Sequence, residues 1–301
     1  MPQQLDWRSA AAARGLKVTD LAERIATSIE GIDLSDDLDA EIVSIVRAAC
    51  VERTLLLFRS QEKLTPSQFL TFAQRFGGRP DLHALRHYCL PDHHEIFVVG
   101  NVHEKETNAG SPRVGLNWHT DHYHLPEPGL FTYLHAIQVP DVGGDTLFSD
   151  MHAAYDALDQ ETKDLIEPLI CEHSQLYSRD LIGFRDFSAD ERERFKPVLQ
   201  RLVRTLPRTG RKSVYLSSHA GTIVGWEMPE ARLLLRDLSE HATQREFVYS
   251  HKWRVDDLVM WDNRQTMHRG RPFPADEARD VRRTTLAGHA PTVEQPIAVA
   301  A

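Results

Sequence analysis

The stretch LFTYLHAIQVPDVGGDTLF, residues 130–148, decides the fold class. Leu130 to Gln138 is an unbroken apolar, aromatic and β-branched run, stopped by Pro140 and Gly143-Gly144, and Thr146 to Phe148 resumes the same chemistry. Such runs bounded by Gly and Pro read as buried strands. Ile96 to Gly100 before it has the same character, as do Phe247–Trp253, Leu258–Trp261 and Thr284–Gly288 after it. Ile25–Ile32, Thr54–Phe58 and Val214–Leu216 are read as further strands. Helical signals lie between them: Asp36–Ala49 with its acidic start, Thr65 with Pro66 running to Phe76, Ala153–Leu158, Thr162–Ile170 and Pro229–His241. Strands and helices do not alternate regularly, so a parallel α/β sheet is disfavoured. The expectation is a mainly β protein with flanking helices, a double-stranded β-helix or jelly roll. Residues 1–15 read as a mobile tail, 16–290 as one domain, 291–301 as a second tail, and 178–197 as a long loop.

Composition narrows the function. The chain has 301 residues, 41% of them hydrophobic, enough for a sizeable core. Its net charge is -9 without a Lys/Arg-rich run, which argues against a nucleic-acid partner. No apolar run reaches the roughly 18 residues a membrane span needs. Cys50, Cys89 and Cys171 are scattered and form no CxxC pair, which fits reduced thiols and a cytoplasmic home.

Asn117-Trp-His119-Thr-Asp121 carries the sharpest chemical signal. On an extended segment, side chains two apart share a face, so one imidazole and one carboxylate can meet the same metal ion. His268, after the apolar strand and the Asp262-Asn263 turn, is the best candidate for a third ligand. Two imidazoles and a carboxylate leave open positions of the kind non-haem Fe(II) uses. An isolated His-x-Asp is more often an ordinary pair, and His93, His94, His103, His122 and His124 compete for the role. A 2-oxo dicarboxylic acid chelating such a metal needs a cation and a hydroxyl at its far carboxylate. Arg279, eleven residues after His268, and Thr146, just beyond the Gly143-Gly144 turn, suit those roles. Their ordinary readings are a surface salt bridge to Asp276, Glu277 or Asp280 and a plain strand threonine.

Taken together, NWHTD (117–121), GGDTLF (143–148), DMHAAYDAL (150–158), HATQREFVY (241–249) and DLVMWDNRQTMHRG (257–270), followed by Arg279 and Arg283-Thr-Thr, resemble the TauD/TfdA family of 2-oxoglutarate dioxygenases from about residue 16 to 290. The resemblance implies Fe(II) on His119, Asp121 and His268, with 2-oxoglutarate and O2 as cosubstrates. It implies that Thr146 and Arg279 hold the far carboxylate of 2-oxoglutarate and that Arg283 faces an anionic prime substrate. Residues 241–270 and Ser217-Ser-His219-Ala220 look most like the 2,4-dichlorophenoxyacetate branch, which brings His219 to the substrate. Residues 78–116 depart from that branch, since Pro80 to His87 lacks its lysine-bearing pattern. The implied reaction cleaves a small anionic aryloxyalkanoate to a phenol and a 2-oxo acid, releasing succinate and CO2, in a monomer or homo-oligomer. A taurine, alkylsulfonate or sulfate-ester dioxygenase is the nearest alternative. A zinc hydrolase would have no need of Thr146 and Arg279 in register with the triad, and the intact triad speaks against a non-catalytic β-barrel binding protein that has lost its metal. Segments 80–116 and 178–197 are candidate lids.

Overall fold

The computed structural model describes residues 5–80, 86–102, 115–181, 183, 185–288 and 291–294. Its strands, in chain order, are β1 (Lys17–Asp20), β2 (Thr27–Glu30), β3 (Leu55–Phe58), β4 (Arg79–Pro80), β5 (Cys89–Leu90), β6 (His93–Gly100), β7 (Gly129–Gln138), β8 (Thr146–Asp150) and β9 (Ile170–His173). They continue with β10 (Val198–Arg201), β11 (Val203–Thr205), β12 (Lys212–Val214), β13 (Ala220–Ile223), β14 (Val248–His251), β15 (Leu258–Asp262), β16 (Thr266–Gly270) and β17 (Asp280–Ala287). A major sheet runs β1-β2-β3-β15-β7-β17-β6-β5, with β4 also on β17, and a minor sheet runs β14-β8-β16. The chain changes sheet repeatedly: β7 is major, β8 and β14 minor, β15 major, β16 minor and β17 major. That winding is the jelly roll expected from the strand-rich pattern.

The long apolar runs have a direct cause. The major sheet is covered on both faces, so its strands bury residues of both parities. On β7 and β15, Phe131, Tyr133, Leu258 and Met260 point to a core shared with Phe58, Phe69 and Phe72, roofed by helices Ala40–Arg53 and Pro66–Gln74. Leu134, Val259 and Trp261 point the other way, into the space between the sheets, where they meet Phe148 and Val281. Trp261 is fully buried and packs against Phe148 (5.2 Å) and the His268 ring (4.8 Å), so the inter-sheet core sets the orientation of a candidate ligand. Truncating such a residue to alanine costs about 3–5 kcal/mol. The helix beginning at Pro66 starts as its sequence requires, with a Thr65/Gln68 capping box and proline in its first turn.

Several expectations need correction. Residues 1–15 are not simply a free tail: Trp7–Ala13 is a helix capped by Asp6, and buried Trp7 donates to Glu52 Oε2 at 2.8 Å. A run of small residues hid this helix, because its one large apolar anchor is Trp7. The 178–197 segment is not one loop; it holds the end of helix Gln175–Asp180 and all of Ala189–Arg194, each opened by a serine cap. Both are too short to show a helical period. The expected helix over 162–170 ends at Ile166, and Ile170 opens β9; the strand expected at 214–216 stops at Val214. In the second tail, Thr292 is buried and its hydroxyl donates to Gln200 Oε1 at 2.7 Å. Among the described residues no helix is long and apolar enough to cross a membrane.

Candidate active site

His119 and His268 face each other across an antiparallel bridge, with paired backbone hydrogen bonds of 2.9 and 2.8 Å. This pairing makes His268 the third partner: the segment 117–121 extends the minor sheet next to β16. The two rings lie 4.2 Å apart, centroid to centroid. Asp121, two residues on, reaches the same point, and ligand atoms of all three side chains lie within 4.8 Å of one another. Asp121 Oδ2 and His268 Nε2 are 3.8 Å apart, too far for a hydrogen bond and near enough to share an ion. His122 follows with φ 55°, a left-handed residue that turns the chain back and ends the extended segment.

Neighbours fix the Asp121 carboxylate closely. Thr132 Oγ1 donates to Oδ2 at 2.7 Å and Arg283 Nη1 donates to Oδ1 at 2.9 Å. Asn263 clamps the segment: its Oδ1 accepts from the Asp121 N–H (3.2 Å) and Trp261 Nε1 (3.1 Å), and its amide donates to Thr132 Oγ1 (2.8 Å). Gly129 permits this approach, since a Cβ there would sit 2.8 Å from the Asp121 carbonyl oxygen. Asn263 read from sequence as a turn residue, and its role shows only in the fold.

Protonation suits a cation. Burial would raise the Asp121 carboxyl, but the Arg283 charge and the neighbouring imidazoles outweigh it and hold it well below the ordinary carboxylate range. Burial pushes His119 down, and burial together with His119 pushes His268 down to about 3, so both rings are neutral near pH 7. His119 Nδ1 lies 2.8 Å from the Asn117 carbonyl, which makes it the donor and leaves Nε2 with a free lone pair. Two neutral imidazole nitrogens and one carboxylate fit a divalent transition-metal ion.

Beside the triad lies a cavity of about 200 Å³, lined by His119 and His268 and by Thr146, Arg279 and Arg283. Arg279 does not form the surface salt bridge its local sequence allowed. It is buried, and Nη1 donates to the Val99 carbonyl at 2.7 Å. Asp280 faces Arg282 (3.6 Å) and Glu277 accepts from the Asp141 N–H. Burial pushes the Arg279 pKa down to about 10, still cationic near neutral pH. Thr146 Oγ1 accepts from Trp253 Nε1 at 3.0 Å, which leaves its own proton for an anion in the cavity. Gly144, at φ 71°, keeps the turn beside Arg279 narrow.

His219 lies beside His119, with ring centroids 6.4 Å apart, but is not among the residues lining this cavity. It stacks on Tyr123 at 3.4 Å, and its Nδ1 bonds Ser178 Oγ. Of the competing histidines, His93 and His94 lie on β6, and His122 and His124 follow Asp121 without joining the ligand cluster. His103 lies outside the described residues. Sequence reasoning missed the wall formed by Tyr88, Phe97, Leu116, Phe273 and Arg179. The first three fall in 78–116, whose divergence was the only signal.

Known proteins resemble this chain in sequence and fold. The family model for the taurine catabolism dioxygenase TauD, TfdA family matches residues 17–285. The alpha-ketoglutarate-dependent 2,4-dichlorophenoxyacetate dioxygenase of Cupriavidus pinatubonensis is 38% identical over 272 residues, covering 86% of this chain and 93% of its own. The (S)-phenoxypropionate/alpha-ketoglutarate-dioxygenase of Sphingobium herbicidovorans is 35% identical, covering 86% and 91%. The crystal structure of AAD-2 in complex with Mn(II) and N-oxalylglycine is 45% identical with a TM-score of 0.81, covering 92% of this chain and 99% of that one.

Proposed function

This chain belongs to the TauD/TfdA family of Fe(II)- and 2-oxoglutarate-dependent dioxygenases, and on that premise we propose that it hydroxylates and so cleaves small aryloxyalkanoates. His119, Asp121 and His268 hold the Fe(II). The chemistry supplied by bound Fe(II) is the reduction of O2 at the expense of 2-oxoglutarate, which leaves as succinate and CO2 while one oxygen atom goes to a substrate C–H bond. Arg279 and Thr146 orient 2-oxoglutarate through its far carboxylate, one as a charged fork and the other as a hydroxyl donor. Trp253 holds the Thr146 hydroxyl in that role. Arg283 serves two anions, the Asp121 ligand and the substrate carboxylate. Trp261, Phe97 and Leu116 keep the cavity dry and accept the aryl ring. Hydroxylation beside the ether oxygen gives a hemiacetal, which loses its hydroxyl proton and expels the phenol, leaving a 2-oxo acid.

One observation carries the reading: among the described residues, every charged side chain that lines the cavity beside the three-ligand cluster is an arginine. A site for a dianionic cosubstrate and an anionic substrate needs that imbalance, whereas a zinc hydrolase does not. The test is anaerobic purification, reconstitution with Fe(II) and 2-oxoglutarate, and aerobic turnover of phenoxyacetate. Phenol and succinate should appear in equal amounts. Strong succinate release with taurine and no phenol from any aryloxyalkanoate would move the chain to sulfonate chemistry.

A further inference from the structure

Among the described residues the cavity lining contains four arginines, and two have side-chain partners. Arg279 is buried against Val99 on the side of Thr146. Arg283 commits one N–H to Asp121. Arg271 is exposed, so water can serve its guanidinium, and only its backbone N–H is bonded, to the Asp145 carbonyl. Arg179 is different. It is half-buried, and among the described residues its guanidinium makes no hydrogen bond or ion pair. A cation held in a partly dry wall without a partner is unfavourable unless an anion joins it.

Its position is built by the surrounding packing. Helix Gln175–Asp180 is anchored on three sides. Ser174 Oγ caps it by accepting from the Tyr177 N–H at 3.1 Å. The Tyr177 ring fills the notch left by Gly221, where a Cβ would come within 2.9 Å of the ring. Ser178 Oγ bonds His219 Nδ1, and the His219 ring is in turn stacked flat on Tyr123. His219 therefore has one nitrogen and one face occupied, while Arg179, next to its partner Ser178, lines the cavity.

We propose that Arg179 is a specificity-determining residue that grips the anionic group of the prime substrate, a carboxylate or the equivalent oxygens of a sulfonate or sulfate. The anion is then held by two arginines from different elements, Arg179 on a short helix and Arg283 on β17. A guanidinium fork suits this better than an ammonium, because it presents two parallel N–H groups to two oxygens. This inference rests on the reading above that the substrate is an anion, and it deepens that reading.

Protein loaded with Mn(II) and N-oxalylglycine provides the test, because binding is then read without turnover. Phenoxyacetate, 2-phenoxypropionate, taurine and hexyl sulfate are titrated calorimetrically, with neutral 2-phenoxyethanol as control. For the tightest anion, Arg179→Gln should raise Kd about tenfold or more, the loss expected of a charged hydrogen-bond partner. Arg179→Lys should recover part of that loss. Affinities for N-oxalylglycine and 2-phenoxyethanol should stay within about twofold, and the melting temperature should not move, as expected of a surface-accessible change. Anion binding by Arg179→Gln at wild-type strength overturns the proposal. Taurine or hexyl sulfate as the tightest anion, still weakened by Arg179→Gln, overturns the aryloxyalkanoate reading and sustains Arg179. A wild type that binds none of the four overturns both.

Discussion

The cavity has two walls of unlike construction. One is made of sheet: Thr146 on β8, His268 on β16, Arg283 on β17 and Arg279 immediately before it, each held by strand pairing and by partners such as Asn263, Trp253 and Val99. The other is made of short pieces: the turn Arg86–Tyr88, the residues around Leu116, and helix Gln175–Asp180 with Arg179. On the proposed reading, the strands carry the groups that every reaction of the family needs, those for the metal and for 2-oxoglutarate. The pieces that meet the prime substrate can change without disturbing the sheets. One fold can in this way keep its oxidant and exchange its substrates.

The largest effects should come from the sheet wall. His119→Ala, Asp121→Ala and His268→Ala should each abolish turnover and metal binding measured by titration under nitrogen, while His124→Ala keeps its metal. A protein that binds iron without His268 but not without His124 would break the assignment of the walls.

Next come the two arginines on or beside β17. Arg279→Ala removes a charged partner worth about 1.5–3 kcal/mol, so KM for 2-oxoglutarate should rise on the order of tenfold to a hundredfold. Arg283→Ala should spare that KM and raise KM for the prime substrate. Because Arg283 also bonds Asp121, it should weaken metal binding as well, which Arg279→Ala should not. Equal effects of both changes on 2-oxoglutarate alone would refute the division.

A smaller effect, away from both walls, is a dependence of stability on pH. His173, on β9 beneath Tyr123 and Tyr215, is fully buried, neither ring nitrogen has a hydrogen-bond partner among the described residues, and burial pushes it down to about 3. Its folded pKa lies below the unfolded value of about 6.5, so its neutral form stabilises the fold fully above that pH. The contribution is lost as pH falls from about 6.5 towards 3, close to 2 kcal/mol by pH 5 at about 1.4 kcal/mol per unit. The melting temperature should fall over that range, and His173→Phe should make the fall shallower. An unchanged pH profile in that variant would show that the histidine is solvated.

The smallest effect tests how firmly the sheet wall is held. Trp253→Phe removes the bond to Thr146, about 0.5–1.5 kcal/mol, together with part of an indole packed in the inter-sheet core, so KM for 2-oxoglutarate should rise several-fold and KM for the substrate should stay. A change confined to the substrate would place Thr146 on the wrong wall.

His119 and Asp121 were legible because a period of 2 puts them on one face whatever the rest of the fold does. The β7 and β15 runs were legible because burial on both faces leaves no polar position to blur them. Helices Trp7–Ala13 and Gln175–Asp180 were not, since six or seven residues with one or two anchors carry no period to read. Arg279 was ambiguous because three acids sit within three residues of it in sequence, and only burial shows that it avoids them.

The sequence by itself determined the strand-rich class, the placing of His119 and Asp121 on one face, and, through its family pattern, the metal and cosubstrate chemistry. All of these depend on local periodicity or on motifs whose order survives in one dimension. Only the tertiary structure decided that His268 bridges His119, that Asn263 clamps Asp121, that Arg283 is shared with a ligand, and that Arg179 reaches the cavity while His219 does not line it. Each of these joins residues distant in the chain, and such contacts are fixed by how two sheets close on a common core rather than by the preferences of neighbouring residues.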